Sequence, residues 1–384
     1  MLIIIFVIIE QTKNGGIMKL VFTKTNLSKG VGIVMKAVPV RTTMAILECI
    51  MIDATSDIIK FTANDMELGI ETIVEGDIIE RGKIAIDAKI FSEIVRKLPD
   101  NDITIETDSN FTALITCENS KFHISGKSGE DFSFLPIIEK EKMISLSQFY
   151  LKELINQTIF CTAPNDNNKM MTGELFEVTD SELKIVALDG HRIAIRKMLL
   201  NGRADDVKVV VPGKTLNEIS KILSSDADAM VNIYFTNNHI LFEFDNTIVV
   251  SRLIEGEYFK INQMLSSDYE TKMVINKKEM LNSIDRATLL IKEGDKKPII
   301  LNITDGNMEV KVASSIGSLN ENINISKEGK DIMIGFNPKF LMDALKVIDD
   351  EEINIYLLNP KAPCFIRDKS EKYIYLILPV NFTV

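Results

Sequence analysis

The sequence predicts an α+β protein built from three similar segments, and two observations support this. Three stretches read alike: DAKIFSEIVRKLPDNDITIET from Asp87, PGKTLNEISKILSSDADAMVNIYFT from Pro212 and NPKFLMDALKVIDDEEINIYLL from Asn337. Each opens with a residue that favours a helix start, continues as an amphipathic helix, and breaks at an acidic turn before an alternating strand. Their spacing is regular, since 212 − 87 = 125 and 337 − 212 = 125. A fixed period of this kind indicates an internal repeat.

A second, weaker helical pattern lies upstream in each segment. It is carried by NLSKGVGIVMKAV from Asn26, SQFYLKELINQTIF from Ser147 and KKEMLNSIDRATLLI from Lys277. Short alternating runs such as IIKFTA, LKIVAL, ILFEFD and YIYLILPV predict antiparallel strands between the helices. We therefore expect two helices packed on antiparallel sheets in each of three domains, at residues 18–142, 143–267 and 268–384.

The composition is that of an ordinary globular chain of 384 residues, with 46% hydrophobic and 26% charged residues. The four cysteines are scattered, and none is part of a CxxC pair, which favours reduced thiols in a cytoplasmic protein. These are Cys49, Cys117, Cys161 and Cys364. The three histidines lack the spacing of metal ligands, so we expect no metal site.

The first segment, MLIIIFVIIE, resembles a signal peptide only superficially. It lacks a basic start and a small-residue cleavage site, and its apolar run is too short to span a bilayer. The codons for Gly15-Gly16-Ile17-Met18 could resemble a ribosome-binding site followed by a start codon. We therefore expect Met18 to be the true start and residues 1–17 to be a non-native extension. A genuine apolar extension is the alternative.

The repeated helices place cations opposite their apolar residues. The expected apolar positions are Ile90, Phe91, Ile94, Val95 and Leu98; Leu216, Ile219, Ile222 and Leu223; and Leu341, Ala344, Leu345 and Ile348. The opposite positions carry Lys89 and Arg96, Lys214 and Lys221, and Lys339 and Lys346. Each pair is separated by seven residues, or two helical turns, so both charges are expected on one face.

The upstream helices add further cations, at Lys29 and Lys36 in the first copy and at Lys152 and Arg286 in the others. Arg41 is the last of the cations that we expect to contact phosphates. Although the net charge is −11, a row of cations on equivalent helices suits a surface that follows phosphates without reading sequence. No aromatic residues interleave with them, so duplex DNA is favoured over a single strand. The alternative is a solvated helix face.

The segment VALDGHRIAIR, residues 186–196, is predicted to form a β-hairpin with an Asp-Gly turn. It resembles the TDGHRLA signature of the bacterial DNA polymerase III beta subunit, the beta sliding clamp. MKLVFTKTNL, FTANDMELGIE, VVVPGKTLNEISKIL, SRLIEGEYF, FNPKFLMDALKVI, FIRD and YLILPV resemble other family segments in the same order. The resemblance covers nearly the whole chain from Met18.

This resemblance implies three DNA-clamp domains per protomer and a head-to-tail homodimer closed into a ring. Such a ring encircles double-stranded DNA without sequence preference and tethers the replicative polymerase, so that processivity comes from topology. The implied partners are the DNA polymerase III alpha subunit, an ATP-driven clamp loader, and other replication and repair proteins that carry a clamp-binding motif. The implied protein is not an enzyme, needs no cofactor and does not enter a membrane.

The family's partner-peptide pocket lies between its second and third domains. Transferred position by position, its lining here is Met171, Gly173, Leu188, Gly190, His191, Arg192, Ile193, Met264, Leu378, Pro379 and Val380. Leu188 replaces the usual Thr, Phe259 and Gln263 replace a common Pro and Arg, and the tail continues for four further residues. These departures leave the preferred partner motif open.

Three other functions are the alternatives to a replicative clamp. Asp189, His191 and Arg192 could suggest acid–base catalysis, but consecutive strand residues point to opposite faces, and no GxGxxG, Walker A, GxSxG or HExxH motif is present. A scaffold that binds only proteins predicts no salt-dependent retention on circular duplex. A divergent clamp paralogue with altered partners has the same sequence features as a replicative clamp.

Overall fold

The structure, a computed structural model, describes residues 17–165, 167–292 and 297–382. The expected N-terminal extension therefore lies outside the described residues, except for Ile17. Six α-helices are described, two in each predicted repeat, and this confirms the α+β class. They are α1 Lys24–Val34, α2 Ala88–Lys97, α3 Gln148–Asn156, α4 Gly213–Ser220, α5 Lys277–Thr288 and α6 Pro338–Val347.

The strands described here pair antiparallel throughout. The first are β1 Met18–Thr23, β2 Cys49–Asp53, β3 Lys60–Asn64, β4 Leu68–Ile73, β5 Asp77–Glu80, β6 Lys83–Asp87, β7 Asp102–Thr107, β8 Thr112–Cys117 and β9 Ser120–Lys127. The next are β10 Lys142–Ser147, β11 Gly173–Thr179, β12 Glu182–Leu188, β13 Arg192–Leu199, β14 Val207–Pro212, β15 Met230–Phe235, β16 His239–Phe244 and β17 Thr247–Arg252. The last are β18 Thr271–Asn276, β19 Ile299–Thr304, β20 Asn307–Ala313, β21 Ser318–Asn324, β22 Ser326–Gly329, β23 Ile332–Phe336, β24 Glu352–Leu357, β25 Cys364–Arg367 and β26 Tyr373–Ile377.

The chain divides into two compact units. The first contains the described residues up to Phe149 together with Lys221–Leu253. Its single sheet has the order β10-β15-β16-β17-β4-β3-β2-β6-β9-β8-β7-β1-β5. Because β17 pairs with β4, this sheet joins strands from the first and second predicted repeats. Helices α1 and α2 pack against each other in this unit, and Leu27 and Phe91 on them are fully buried.

The second unit contains Tyr150–Ser220 and Ile254–Val384. It has a nine-stranded sheet, β14-β11-β12-β13-β26-β25-β24-β18-β22, and a four-stranded sheet, β21-β20-β19-β23. Here β13 pairs with β26, which joins strands from the second and third predicted repeats. Helices α5 and α6 pack against each other, and Met280 and Leu341 on them are buried in one apolar core.

Helix starts in the structure follow the predicted chemistry at two of the three repeats. The Asp87 side chain accepts the backbone N–H of Ile90 at 2.8 Å, and the Asn337 side chain accepts that of Lys339 at 3.0 Å. Both are N-caps, which satisfy backbone donors that the first helical turn leaves free. Pro212 differs, because it is the last residue of β14 and its helix begins at Gly213.

Two expectations about apolar faces were wrong. Ile90 is 51% exposed and lies at the margin of the buried face, which is formed by Ala88, Phe91, Ile94 and Val95. Helix α4 ends at Ser220, so Ile222 and Leu223 lie just past the helix, as Leu98 and Ile348 do in the other two repeats. Leu98, Leu223 and Ile348 are nevertheless buried.

Candidate functional site

The hairpin formed by β12 and β13 ends in a two-residue turn centred on Gly190 and His191. Asp189 and Arg192 flank the turn, and the Asp189 N–H donates to the Arg192 carbonyl at 3.3 Å. The predicted hairpin is therefore present, although its turn lies one residue later than the expected Asp-Gly. Gly190 has a φ of 84°, a left-handed conformation that glycine adopts without strain. The Asp189 carboxylate also accepts the backbone N–H of His191 at 3.0 Å.

The Arg192 side chain is buried and connects three parts of the second unit. Its Nε donates to the Asp189 carboxylate at 2.9 Å, and one terminal nitrogen donates to Asp343 on α6 at 2.7 Å. The other terminal nitrogen donates to the Phe160 carbonyl at 2.6 Å. The guanidinium also lies over the Phe340 ring, 4.5 Å from its centroid. Arg192 therefore fixes the hairpin and is poorly placed to contact a ligand directly.

The hairpin tip meets the chain that follows β26. The Leu378 N–H donates to the His191 carbonyl at 2.9 Å, directly after the paired residues Arg192 and Ile377. Two residues later, the Val380 N–H donates to the Gly335 carbonyl at 2.8 Å. Segments almost 190 residues apart, since 378 − 191 = 187, are thus brought together as predicted.

A hydrophobic cluster lies beside this junction. Leu188 and Ile193 are buried in it, and Met171 packs against it while remaining half-buried. Two of the expected lining residues are exposed: Met264 is 43% and Leu378 is 36% exposed. Exposed apolar side chains beside a buried apolar cluster are typical of a surface that receives an apolar ligand group.

The remaining predicted lining residues are Gly173, His191, Pro379 and Val380. Gly173 is buried, and a Cβ there would come within 2.6 Å of the Val211 carbonyl oxygen, so packing requires the glycine. His191 is exposed, and its ring stacks on Phe340 at 5.9 Å between centroids. Pro379 and Val380 are partly buried in the segment that follows β26.

Sequence reasoning missed several members of this cluster. Tyr258 is buried, and its hydroxyl donates to the Val186 carbonyl at 3.2 Å. Leu376 and Phe365 are buried in the same cluster, and Phe259, named above as a departure from the family pattern, packs against it. The alternation in YLILPV could have identified Leu376, because it lies two residues before Leu378 on the same side of the strand.

A carboxylic acid is buried on β11, next to the predicted lining residue Gly173. Glu174 follows Gly173 on β11 and is fully buried, and neither carboxylate oxygen has a hydrogen-bond partner. Burial raises the pKa of Glu174 to about 8, since a charge is costly away from water. The nearby Thr158 hydroxyl donates instead to the Leu154 carbonyl at 2.7 Å. The raised pKa therefore favours the protonated, neutral form of Glu174 near neutral pH.

Two further chemical features concern the parts of the chain that the structure describes. These residues contain no group of three or more His, Cys, Asp or Glu side chains placed to hold a metal ion. They also include no helix with the length and apolar character needed to cross a membrane.

The cation pairs on α2 and α6 have the predicted geometry. Lys89 and Arg96 are exposed on α2, and Lys339 and Lys346 are exposed on α6. Arg96 lies 2.5 Å from Glu93, whereas the other three form no ion pair with any described residue. Lys89 and Lys339 are separated by two repeat lengths of 125 residues, since 339 − 89 = 250.

The other expected cation positions are less regular. Lys29 is exposed on α1, but Lys36 lies in a 3-10 turn at Met35–Ala37, so these two do not share one helix. Lys214 is exposed on α4, whereas Lys221 follows the helix end. Lys36 and Lys221 thus lie just beyond the ends of the helices that carry Lys29 and Lys214.

Three single positions complete the set. Arg41 is exposed in the loop before β2, and Lys152 on α3 is half-buried. Arg286 is exposed on α5 and pairs with Glu321, with its Nε donating at 3.0 Å. Part of the Arg286 charge is thus already compensated within the chain.

Three α+β repeats with exposed cations on equivalent helices, together with exposed apolar side chains beside a buried cluster, are typical of the sliding-clamp class. Family models match residues 18–136, 145–260 and 262–381, as the N-terminal, central and C-terminal domains of the DNA polymerase III beta subunit. The beta sliding clamp of Bacillus subtilis is 36% identical over 95% of this chain and its own full length. That of Staphylococcus epidermidis is 35% identical over 90% of this chain and 95% of the relative.

Solved structures agree with these matches. A DNA polymerase III beta subunit from Eubacterium rectale has 68% identity and a TM-score of 0.92, and covers 95% of this chain and 100% of its own. The Bacillus subtilis sliding clamp has the same TM-score at 34% identity, with 96% and 100% covered. The chain belongs to the DNA polymerase III beta subunit family, the beta sliding clamps. This confirms the predicted family and a non-catalytic subunit.

Proposed function

We propose that this protein forms a ring-shaped homodimer that encircles duplex DNA and tethers the replicative polymerase, so that the polymerase is processive. The observation that carries the proposal is the repeated cation pair on α2 and α6. Lys89, Lys339 and Lys346 are exposed and have no carboxylate partner among the described residues, in a chain with a net charge of −11. Unpaired cations at repeated positions are available for phosphates.

Weak, sequence-independent contact fits a protein that slides. Phosphate contacts position a protein on DNA without reading bases, and the acidic remainder of the chain would be repelled by DNA. Retention would then come from a closed ring and not from affinity.

Two sheet edges support closure by pairing the first repeat of one protomer with the third repeat of its partner. Strand β9 pairs with β8 along its length but with β6 only at Gly126 and Lys127, which leaves residues 120–125 with one open edge. Strand β21 is the last strand of the four-stranded sheet. Phe122 on β9 and Ile316 just before β21 are exposed. Pairing would cover edges that otherwise invite aggregation.

The surface around the β12–β13 hairpin is proposed to receive the short apolar peptide of clamp-binding partners. The DNA polymerase III alpha subunit, the clamp loader and other replication and repair proteins are the proposed partners, and the cytoplasm is the proposed location. Exposed Met264 and Leu378 beside the buried cluster of Leu188 and Ile193 support this. Methionine-rich surfaces repack around different partners.

Retention on DNA tests the ring. The protein is loaded with its clamp loader onto nicked circular duplex, and gel filtration then measures co-elution before and after linearisation. We expect retention on the circle and loss within minutes from the linear form. Equal loss from both forms would contradict encirclement and favour a scaffold that binds only proteins.

A further inference from the structure

The first unit contains a groove that matches the hairpin surface of the second unit. It lies at the tip of the β3–β4 hairpin and has a cavity volume of about 260 Å³. Its walls include Met66 from the hairpin tip, Phe134 and Leu135 from the segment after β9, and His239 and Arg252 from β16 and β17.

The two hairpins have the same hydrogen-bond pattern. Asp65 Oδ1 accepts the backbone N–H groups of Glu67 and Leu68 at 3.0 and 2.7 Å. Asp189 Oδ1 accepts those of the residues two and three positions after it at 3.0 and 3.1 Å. Asp65 and Asp189 are one repeat apart, since 189 − 65 = 124. The residue after each aspartate has a positive φ, 75° at Met66 and 84° at Gly190.

A neighbouring segment is hydrogen-bonded to each hairpin tip at the equivalent position. The Arg252 N–H donates to the Glu67 carbonyl at 2.9 Å, as the Leu378 N–H donates to the His191 carbonyl at 2.9 Å. Arg252 and Leu378 are again one repeat apart, since 378 − 252 = 126. The backbone that frames the candidate peptide surface is therefore present twice in the chain.

The two framed surfaces differ in their side chains. In the first unit Leu135 enters the groove beside Gly69, where a Cβ would lie 2.1 Å from the leucine Cδ2. The groove remains open above it, because Met66 is 52% and Phe134 is 68% exposed. These two apolar side chains face solvent at the rim of a concave site, where an apolar ligand group would bury them.

The charges in the groove indicate what lies next to that apolar group. Arg252 is exposed and forms no ion pair with any described residue. Burial lowers the pKa of the neighbouring His239, and the positive charge of Arg252 lowers it further. Glu67 contributes one carboxylate at the hairpin tip. A ligand carboxylate placed near Arg252 would supply the ion-pair partner that Glu67 does not provide.

We propose that this groove is a second peptide-binding site, which accepts an extended segment with an apolar anchor followed by a carboxylate. The anchor packs between Met66 and Phe134, and the carboxylate pairs with Arg252. The proposal rests on the proposed function in one respect: it assumes that the equivalent surface of the second unit binds apolar peptides.

Methionine-methyl NMR of the full-length protein tests both sites at once. The probe is the peptide acetyl-Leu-Phe-Asp-Leu-amide, with Asn in place of Asp as the matched control. The Met66 methyl reports the groove of the first unit, and the Met171 and Met264 methyls report the surface of the second. We expect a saturable Met66 shift, weakened up to about fivefold by the Asn peptide, since an exposed ion pair contributes up to roughly 1 kcal/mol.

Two variants and one control show whether the Met66 shift arises from peptide bound in the groove. Phe134→Ser should abolish the saturable Met66 shift, and Arg252→Gln should remove the preference for Asp over Asn. Ile137→Ser is the control, because Ile137 is fully exposed on the same segment but does not line the groove. It should leave the titration unchanged.

Three outcomes would overturn the second site. If the Met66 methyl signal does not shift while the Met171 and Met264 signals do, the peptide binds only the surface of the second unit. A Met66 shift that survives both Phe134→Ser and Arg252→Gln places the peptide elsewhere. A Met66 shift that depends on protein concentration without peptide assigns the groove to a second copy of the chain. If Met66 alone responds, the proposed peptide site of the second unit fails instead.

Discussion

The guanidinium of Arg192 and the carboxylate of Asp343 lie 2.7 Å apart, which attaches the β12–β13 hairpin to helix α6. Both side chains are largely buried. Removing one member of a buried ion pair leaves the other charge without compensation, which typically costs about 3–5 kcal/mol. The hairpin tip thus depends on a residue 151 positions further along the chain.

Arg192→Met is accordingly expected to destabilise the protein by roughly 3 kcal/mol and to weaken peptide binding through displacement of the hairpin. Urea unfolding and peptide titration measure the two effects. Arg203→Met is the matched control, because Arg203 pairs with Asp180 while 89% exposed. Such a pair contributes little. Equal stability of the two variants would refute a structural role for Arg192.

Charge reversal of the repeated lysines tests the DNA-facing surface. Lys89→Glu, Lys214→Glu and Lys339→Glu together should weaken duplex binding and lower its salt dependence by roughly one phosphate contact per cation removed, with folding unchanged. Fluorescence anisotropy across a salt series measures the slope. The control reverses three exposed lysines outside the α-helices, Lys142, Lys208 and Lys361. An unchanged slope in the first variant would mean that its lysines form only a solvated face.

Partner binding should depend on the two exposed apolar residues of the second unit. Met264→Ala or deletion of residues 378–384 is expected to cost about 2 kcal/mol of peptide affinity, or roughly 30-fold. His191→Ala should have a smaller effect. Titration with a C-terminal peptide of the polymerase from the same organism measures this.

Exposed Leu199, at the far end of β13, provides a control for that titration, and Leu199→Ala should bind normally. Dimerisation and DNA association should survive in every variant. Affinity that persists after tail deletion would place the peptide on another surface.

The pH dependence of stability should reveal Glu174. Its pKa is raised from 4.5 in an unfolded chain to about 8 in the fold, so the unfolded state releases its proton first. The stabilisation of the protonated form is fully present below about pH 4.5 and is lost progressively up to about pH 8. Glu174→Gln should therefore be more stable than the native protein at pH 8 and show a flatter profile.

Urea unfolding between pH 5 and pH 9 checks this, with Glu255→Gln as an exposed control. Native and Glu174→Gln profiles of equal slope would show that this carboxyl is solvated or paired in solution.

The sequence predicted the elements better than their ends. Lys89 and Arg96 share α2 as expected, because the helix is capped at Asp87 and its apolar period is unbroken. Lys221 falls outside α4 because the helix stops at Ser220, and no glycine or proline at that point signals the end. Helix ends depend on tertiary packing, which a local pattern does not contain.

The candidate site was predicted only in part, because tertiary contacts again leave no local pattern in the sequence. Leu188 and Leu378 were placed in it by resemblance, and the structure brings their segments together. The partners of Arg192 at Phe160 and Asp343 had no signal, since long-range side-chain contacts leave no periodic trace in one sequence. Glu174 was also missed, because an isolated glutamate in a strand usually faces solvent.

The pairing of β4 with β17 has a consequence for synthesis of the chain. Ile70 pairs with Val249, so the partner of β4 appears 249 − 70 = 179 residues later. At about 5–20 residues per second, the ribosome needs roughly 10 to 40 s to supply it. During that interval β4 is an unpaired edge on a nascent chain, and its charged Glu71 helps to deter pairing with other chains. Folding of the first unit is therefore completed only after residue 253 has been made.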